Sequence, residues 1–222
     1  WTTLWFSLAM VFAFTFIPVE LDSGVEKHPR MAFITGYILE LSLSMDNVFV
    51  IALIFTYFRV ESKYQHRVLF WGILGAIILR GLMISVGAVA VAKWEWILYV
   101  FGAFLLFTGI KMLFADEDEG VEPENNMLVK LARRIFPIHD KFDGEHFIIV
   151  KDGKRFLTPM AIVLITVEST DVVFAVDSIP AIFSVTTDPF IVFTSNMFAI
   201  LGLRSLYFVL AGAIEYFHYL KY

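Results

Sequence analysis

ILELSLSMDNVFVIALIF, residues 38–55, is apolar and long enough to lie in a bilayer, yet it carries Glu40, Asp46 and Asn47 in its interior. A second such stretch, ITVESTDVVFAVDSIPAIF, runs over residues 165–183 and contains Glu168, Asp171 and Asp177. Aligning Asp46 with Asp171 superposes DNVFV on DVVFA, with an acid upstream in each copy. A carboxylate at bilayer depth costs roughly 2.5–3.5 kcal/mol on insertion scales. Five of them unpaired would cost roughly 12–18 kcal/mol, comparable to the whole stability of a domain. Something must compensate them, and a metal cation is the expected partner.

The composition agrees with a membrane setting. The 222 residues are 59% apolar, with 24 Phe and only 18% charged residues, a balance too apolar for a soluble domain of this size. The formal net charge of −5 argues against nucleic acid as a partner, which asks for a basic face. Cysteine is absent, so these residues supply neither a disulfide framework nor a thiolate metal site. The chain opens on Trp1 and closes inside an apolar run. It reads as a trimmed chain whose leading helix is shortened.

Six segments pass a length test for spanning: about 1–18, 31–58, 67–92, 94–114, 159–184 and 189–214. Between 115 and 158 lies the one long polar stretch. It opens on an acidic run, Asp116–Glu119 with Glu122 and Glu124, which reads as a solvated linker. Over 125–136, Leu128, Leu131 and Ile135 recur at helical spacing opposite Lys130, Arg133 and Arg134, the pattern of a helix lying on a membrane surface. Asp152-Gly153 between β-prone arms predicts a short hairpin. Loops 59–67 and 115–158 share one side and hold ten Lys and Arg, against Lys27, Arg30 and Lys93 on the other. The positive-inside rule makes the richer side cytoplasmic, and the chain a multi-pass protein of a cell (inner) membrane.

Arg80 follows Asp46 by 34 residues and Arg204 follows Asp171 by 33, both in mid-segment. The unit is therefore an acidic helix, an arginine helix and a third helix. An odd number of spans turns the second copy over, giving the inverted-topology repeat of many secondary transporters. The expected fold is all-α: a leading helix and external loop (1–30), a first three-helix repeat (31–114), a cytoplasmic loop with an amphipathic helix and hairpin (115–158), and a second repeat truncated before its last helix (159–222). One further span of ~20 residues is expected beyond Tyr222.

On a helix, Glu168 and Asp171 share a face, and Glu40, Ser44 and Asn47 form a similar stripe. Pro180 should kink the second acidic helix and free the carbonyl of Val176, a spare oxygen ligand beside Asp177. Each acid could instead be structural, paired with Arg80 or Arg204 or bonded by Ser42, Ser44, Ser169 or Thr170. For the set that is weaker, since two arginines leave three negative charges over. Carboxylates, an amide and hydroxyls are hard ligands, suited to Mg²⁺, Ca²⁺ or Mn²⁺. Met45 is either packing or a softer contact that would favour Mn²⁺.

ELSLSMDNVFV (40–50), VESTDVVFAVDSIPAIFSVTTDPFIVFTSNMFAILGLRSLYF (167–208) and Arg80 resemble the TerC family of integral membrane proteins. The resemblance covers all but the 115–158 loop. It implies two inverted three-helix units, tellurium resistance, and export of manganese by several members. Its motif acids carry over onto Glu40, Asp46, Glu168, Asp171 and Asp177. The expected metal ligands are thus Glu40, Asp46, Asn47, Glu168, Asp171 and Asp177, with Arg80 and Arg204 as charge partners. The expected function is export of a divalent cation, Mn²⁺ first, with proton coupling as a hypothesis drawn from the excess of acids. No prosthetic group is expected, and the partners are the lipid bilayer, the ion and protons. The alternative is a membrane-protein assembly or metal-loading stress factor that does not itself transport. An enzyme is not expected: an intramembrane aspartyl protease would need a Gly-x-Gly-Asp context that this chain lacks.

Overall fold

The computed structural model describes residues 2–20, 28–114, 127–139, 144–151 and 153–219; the side chains of 112, 113, 127, 204 and 210–219 lie outside that description. Helices α1 (Thr2–Phe16), α2 (Pro29–Tyr57), α3 (Ser62–Lys93) and α4 (Ile97–Leu113) come first. Helix α5 (Met127–Ile135) and strands β1 (Ile148–Lys151) and β2 (Lys154–Leu157) follow, then α6 (Pro159–Phe183) and α7 (Pro189–Tyr219).

Local chemistry sets these boundaries. Pro29, Pro159 and Pro189 each open a helix, where a missing N–H leaves no bond unmade. Ahead of α7, the Asp188 carboxylate accepts from the backbone N–H of Phe190 (2.9 Å) and Ile191 (3.4 Å), satisfying two orphan donors. Arg59 takes a left-handed conformation (φ 52°) as α2 ends, and Val60 N–H donates to the Phe55 carbonyl at 2.9 Å. At the far end of α1, Arg30 donates to the carbonyls of Ala13, Phe14 and Ile17 at 2.9–3.3 Å, tying the start of α2 to a helix C-terminus.

Four helices, α2, α3, α6 and α7, are long and apolar enough to cross a membrane. Two of the six expected spans are shorter than these: α1 has 15 residues and α4 has 17, at the lower end of what crosses a hydrocarbon core of about 30 Å. The apolar count at 94–114 included Trp94–Trp96, which form a turn, with Ile97 N–H donating to the Trp94 carbonyl at 3.0 Å. The expected 59–67 loop is also shorter. Helix α3 begins at Ser62, because hydropathy marks the apolar part of a helix and not its polar first turns. Helix α6 runs unbroken through Pro180.

Helix α2 packs along α7 and α6, α3 lies against α6 and α7, α4 lies on α6, and α1 covers α7 and α2. One core joins Val48, Phe55, Val68, Val167 and Tyr207; a second joins Ile84, Ala175, Ile179 and Phe183. Along α3 and α6, Arg80, Glu168 and Asp171 fall between these two apolar cores. Outward-facing Phe49, Leu53, Ile78, Leu82 and Val86 remain exposed, as on a lipid-facing surface. In the polar stretch, β1 and β2 pair antiparallel with Ile148 opposite Leu157 and Lys151 opposite Lys154, and Gly153 supplies the positive φ of the turn (73°). The acidic run at 116–124 lies outside the described residues.

Candidate ion site within the helix bundle

Arg80, on α3, is 2% exposed and is the largest fully buried side chain described. Its guanidinium meets Asp171 of α6 side on: Nε donates to Oδ2 at 3.0 Å and Nη2 to Oδ1 at 2.8 Å. This two-bond fork is the strongest geometry available to an arginine–carboxylate pair. The remaining Nη1 donates to Oε1 of Glu40 on α2, and reaches Asn196 Oδ1 of α7 at 3.5 Å. Ser44, one turn beyond Glu40, donates to the same Oε1 at 3.3 Å. One cation thus ties together two carboxylates from different helices, leaving the trio one negative charge when all three are ionised.

Beside this layer is a cavity of ≈ 190 Å³, lined from α2 by Glu40, Leu43, Asp46 and Asn47, and from α6 by Phe174, Asp177, Ser178 and Ala181. Arg80 contributes from α3, and Leu105, Thr108 and Gly109 close it from α4. Three buried oxygens on its wall have no hydrogen-bond partner: Glu40 Oε2, Asn47 Oδ1 and Ser178 Oγ. Unpartnered buried polar atoms are rare in folded proteins, and a cavity of this size has room for several waters or a partly hydrated ion. A smaller cavity of ≈ 30 Å³ lies among α2, α3, α6 and α7, and Asn47 lines both. The second one is otherwise apolar apart from Thr170, Asp171 and Tyr207, whose hydroxyl donates to Gln65 at 2.8 Å.

The expected site residues divide. Glu40, Asp46, Asn47 and Asp177 share the large cavity, while Asp171 faces Arg80 and the small one. Glu168 stands apart: its carboxylate fills the space where a side chain at Gly75 of α3 would go, and its Oε2 is buried without a partner. Arg204 is carried on α7, with its side chain outside the described residues. Met45 faces away from the cavity, 43% exposed, so it offers no soft contact there. Among the described residues no three acidic or histidine side chains converge as a ready-made metal cage. Ser42, Ser169 and Thr170 donate to carbonyls of their own helix at 2.8–2.9 Å, whereas Ser44 donates to an acid.

The register between the two acidic helices also differs from the motif alignment. Glu40, Leu43, Asp46 and Asn47 occupy the places on α2 that Asp171, Phe174, Asp177 and Ser178 occupy on α6, at identical spacing. The alignment followed the look-alike string DNVFV/DVVFA and so set Asp46 against Asp171. By position, the first acid of each set reaches Arg80 and the second lines the cavity, which Glu40 lines as well. Sequence reasoning missed Asn196, Ser178, Thr108 and Gly75. Only Ser178 carried a readable signal, its seven-residue spacing from Asp171, two turns along one helix face.

These features define a multi-pass helical membrane protein with a charged, partly unsatisfied site inside the bundle. The chain belongs to the TerC family: the model of the family described as "Integral membrane protein TerC family" matches residues 25–222. It is 53% identical over its full length to "Uncharacterized membrane protein STKORF319" of Myxococcus xanthus, covering 67% of that protein. It is 51% identical to the Escherichia coli (strain K12) protein named "Putative membrane-bound redox modulator Alx", again over the whole chain and 70% of the relative. A Rickettsia felis membrane protein is 41% identical over 98% of the chain. No solved structure matches the chain.

Proposed function

We propose that the chain is a transporter that exports a hard divalent cation, Mn²⁺ first, from the cytoplasm through the cavity between Asp46 and Asp177. The observation that carries this reading is the set of buried oxygens without partners, Glu40 Oε2, Asn47 Oδ1 and Ser178 Oγ, on the wall that also bears Asp46 and Asp177. Two carboxylates, an amide oxygen and a hydroxyl match the preferences of Mg²⁺, Ca²⁺ and Mn²⁺. Waters would complete the coordination in a cavity this open. Choice of Mn²⁺ and outward direction rests on the family resemblance. Arg80 holds Glu40 and Asp171 and is itself no ligand.

In this reading, residues 31–114 and 159–222 are the two inverted units, the matched positions on α2 and α6 being their shared signature. Residues 59–67 and 115–158 face the cytoplasm of a cell that carries the protein in its inner membrane. With all acids ionised, Glu40, Asp46, Asp171 and Asp177 against Arg80 leave three negative charges, which a divalent ion and one proton would balance. Proton coupling follows from that count, and transport into sealed vesicles that neither depends on pH nor dissipates a pH gradient would remove it.

A second reading is an assembly or metal-loading stress factor, including a tellurium-resistance role. The name of the Escherichia coli relative favours an effect on redox state. With no cysteine in these 222 residues, such an effect would pass through a redox-active ion rather than through thiol exchange on this chain. Manganese content of cells lacking their own export separates the two. Wild type should lower it, while Asp46→Asn and Asp171→Asn should leave it high with the protein still in the membrane. Equal manganese in all three would remove the transport reading.

A further inference from the structure

The geometry points to α5 as a docking helix for the surface of an anionic bilayer. At 100° per residue, its side chains sort into three arcs. Val129, 1% exposed, and Ala132 form the arc that packs on the protein, against Leu157 of β2 and Ala161 and Ile162 in the first turn of α6. Leu128, Leu131 and Ile135 form a second arc, within roughly 60° of one another, and are 44%, 51% and 61% exposed. Lys130, Arg133 and Arg134 form the third arc and are exposed. Packing on the protein thus uses one apolar arc and leaves another uncovered.

The position of α5 selects the occupant. Helix α6 is long and apolar enough to cross a membrane, so its first turn lies at the bilayer boundary, and α5 is packed against that turn. A helix held there with a bare apolar arc buries it among acyl chains and headgroups. The ten residues 127–136 hold three basic side chains and no acidic one, and β2, which shares the same small core, adds exposed Lys154 and Arg155. That charge is complementary to anionic headgroups, at about fivefold in docked population per basic side chain (about 1 kcal/mol each). Helix α6, on whose first turn α5 packs, also carries Asp171 and Asp177. The docking itself depends only on the membrane setting, not on which ion is moved.

The absence of cysteine makes the test clean. Leu131→Cys and Arg133→Cys, each in the full chain, are labelled with a nitroxide and reconstituted in vesicles of phosphatidylcholine with or without phosphatidylglycerol. Relaxation by oxygen and by a water-soluble nickel chelate reports depth. In anionic vesicles the label at 131 should lie in the apolar zone and the label at 133 on the water side. Neutral vesicles, high salt, or Lys130→Gln with Arg133→Gln and Arg134→Gln should each lower the docked fraction at 131. A label at 131 open to the nickel chelate in anionic vesicles overturns the proposal. So does a docked fraction that is the same in both lipids and in the triple variant, the result expected if the acidic run 116–124 neutralises α5 instead.

Discussion

Glu40 and Asp171 form one pair of acids, Asp46 and Asp177 another, and the two pairs share a spacing along α2 and α6 while ending in opposite conditions. In the first pair Glu40 is buried and Asp171 half-buried, and both are tied to Arg80 by three charge-assisted hydrogen bonds. The second lines an open cavity whose neighbouring oxygens lack partners. A buried ion pair is weak evidence of net stability, because desolvation cancels much of the attraction. It does fix which helices meet and at what height. The contrast teaches that one set of acids positions the bundle and leaves the other set free to take a ligand.

Removing the cation tests that contrast most severely. Arg80→Ala strands buried Glu40 and half-buried Asp171 and should cost about 3–5 kcal/mol, read as a lowered melting temperature of the purified protein in detergent. Combining Arg80→Met with Glu40→Gln and Asp171→Asn should recover most of that loss, since no buried charge is left unpaired. A triple variant no more stable than Arg80→Ala would mean that the trio does not organise the bundle.

A smaller effect is expected where α3 meets α6. Gly75→Ala places a methyl group where the Glu168 carboxylate lies and should cost about 1–3 kcal/mol through displacement of that side chain. Pairing it with Glu168→Ala should restore stability in a double-mutant cycle; simple additivity would show that the two do not touch. Smaller again is Tyr207→Phe. It removes the bond to Gln65 and should cost about 1 kcal/mol in the same melt, because Gln65 keeps its own bond to the Val60 carbonyl. An unchanged melt would show that this end of the small cavity is not held by that contact.

Much of this arrangement was legible in the residues. Acids and an arginine inside apolar segments announce themselves by their cost, and Asp152-Gly153 and the α5 pattern announce local structure by turn chemistry and period. What stayed hidden was partnership. Whether Arg80 takes Asp171 or Asp46 depends on the relative height of α2 and α6, which no local pattern records. Gly75 illustrates the same limit, since a glycine in an apolar helix gives no sign that a carboxylate from another helix will occupy its missing side chain. The helix ends moved for a simpler reason, as polar first turns such as Ser62–Arg67 carry no hydropathy signal.

Least costly to the fold, and most direct for the account, is loss of the second pair. Asp46 is exposed at the cavity, so Asp46→Asn should change stability by no more than about 0.5 kcal/mol. Binding of Mn²⁺ to the purified, folded protein can be followed by loss of the electron paramagnetic resonance signal of the free aqueous ion. Wild type should bind the ion, and Asp46→Asn and Asp177→Asn should each lose that binding while melting like wild type. Unchanged manganese binding in both variants would contradict the assignment of the cavity as the ion site.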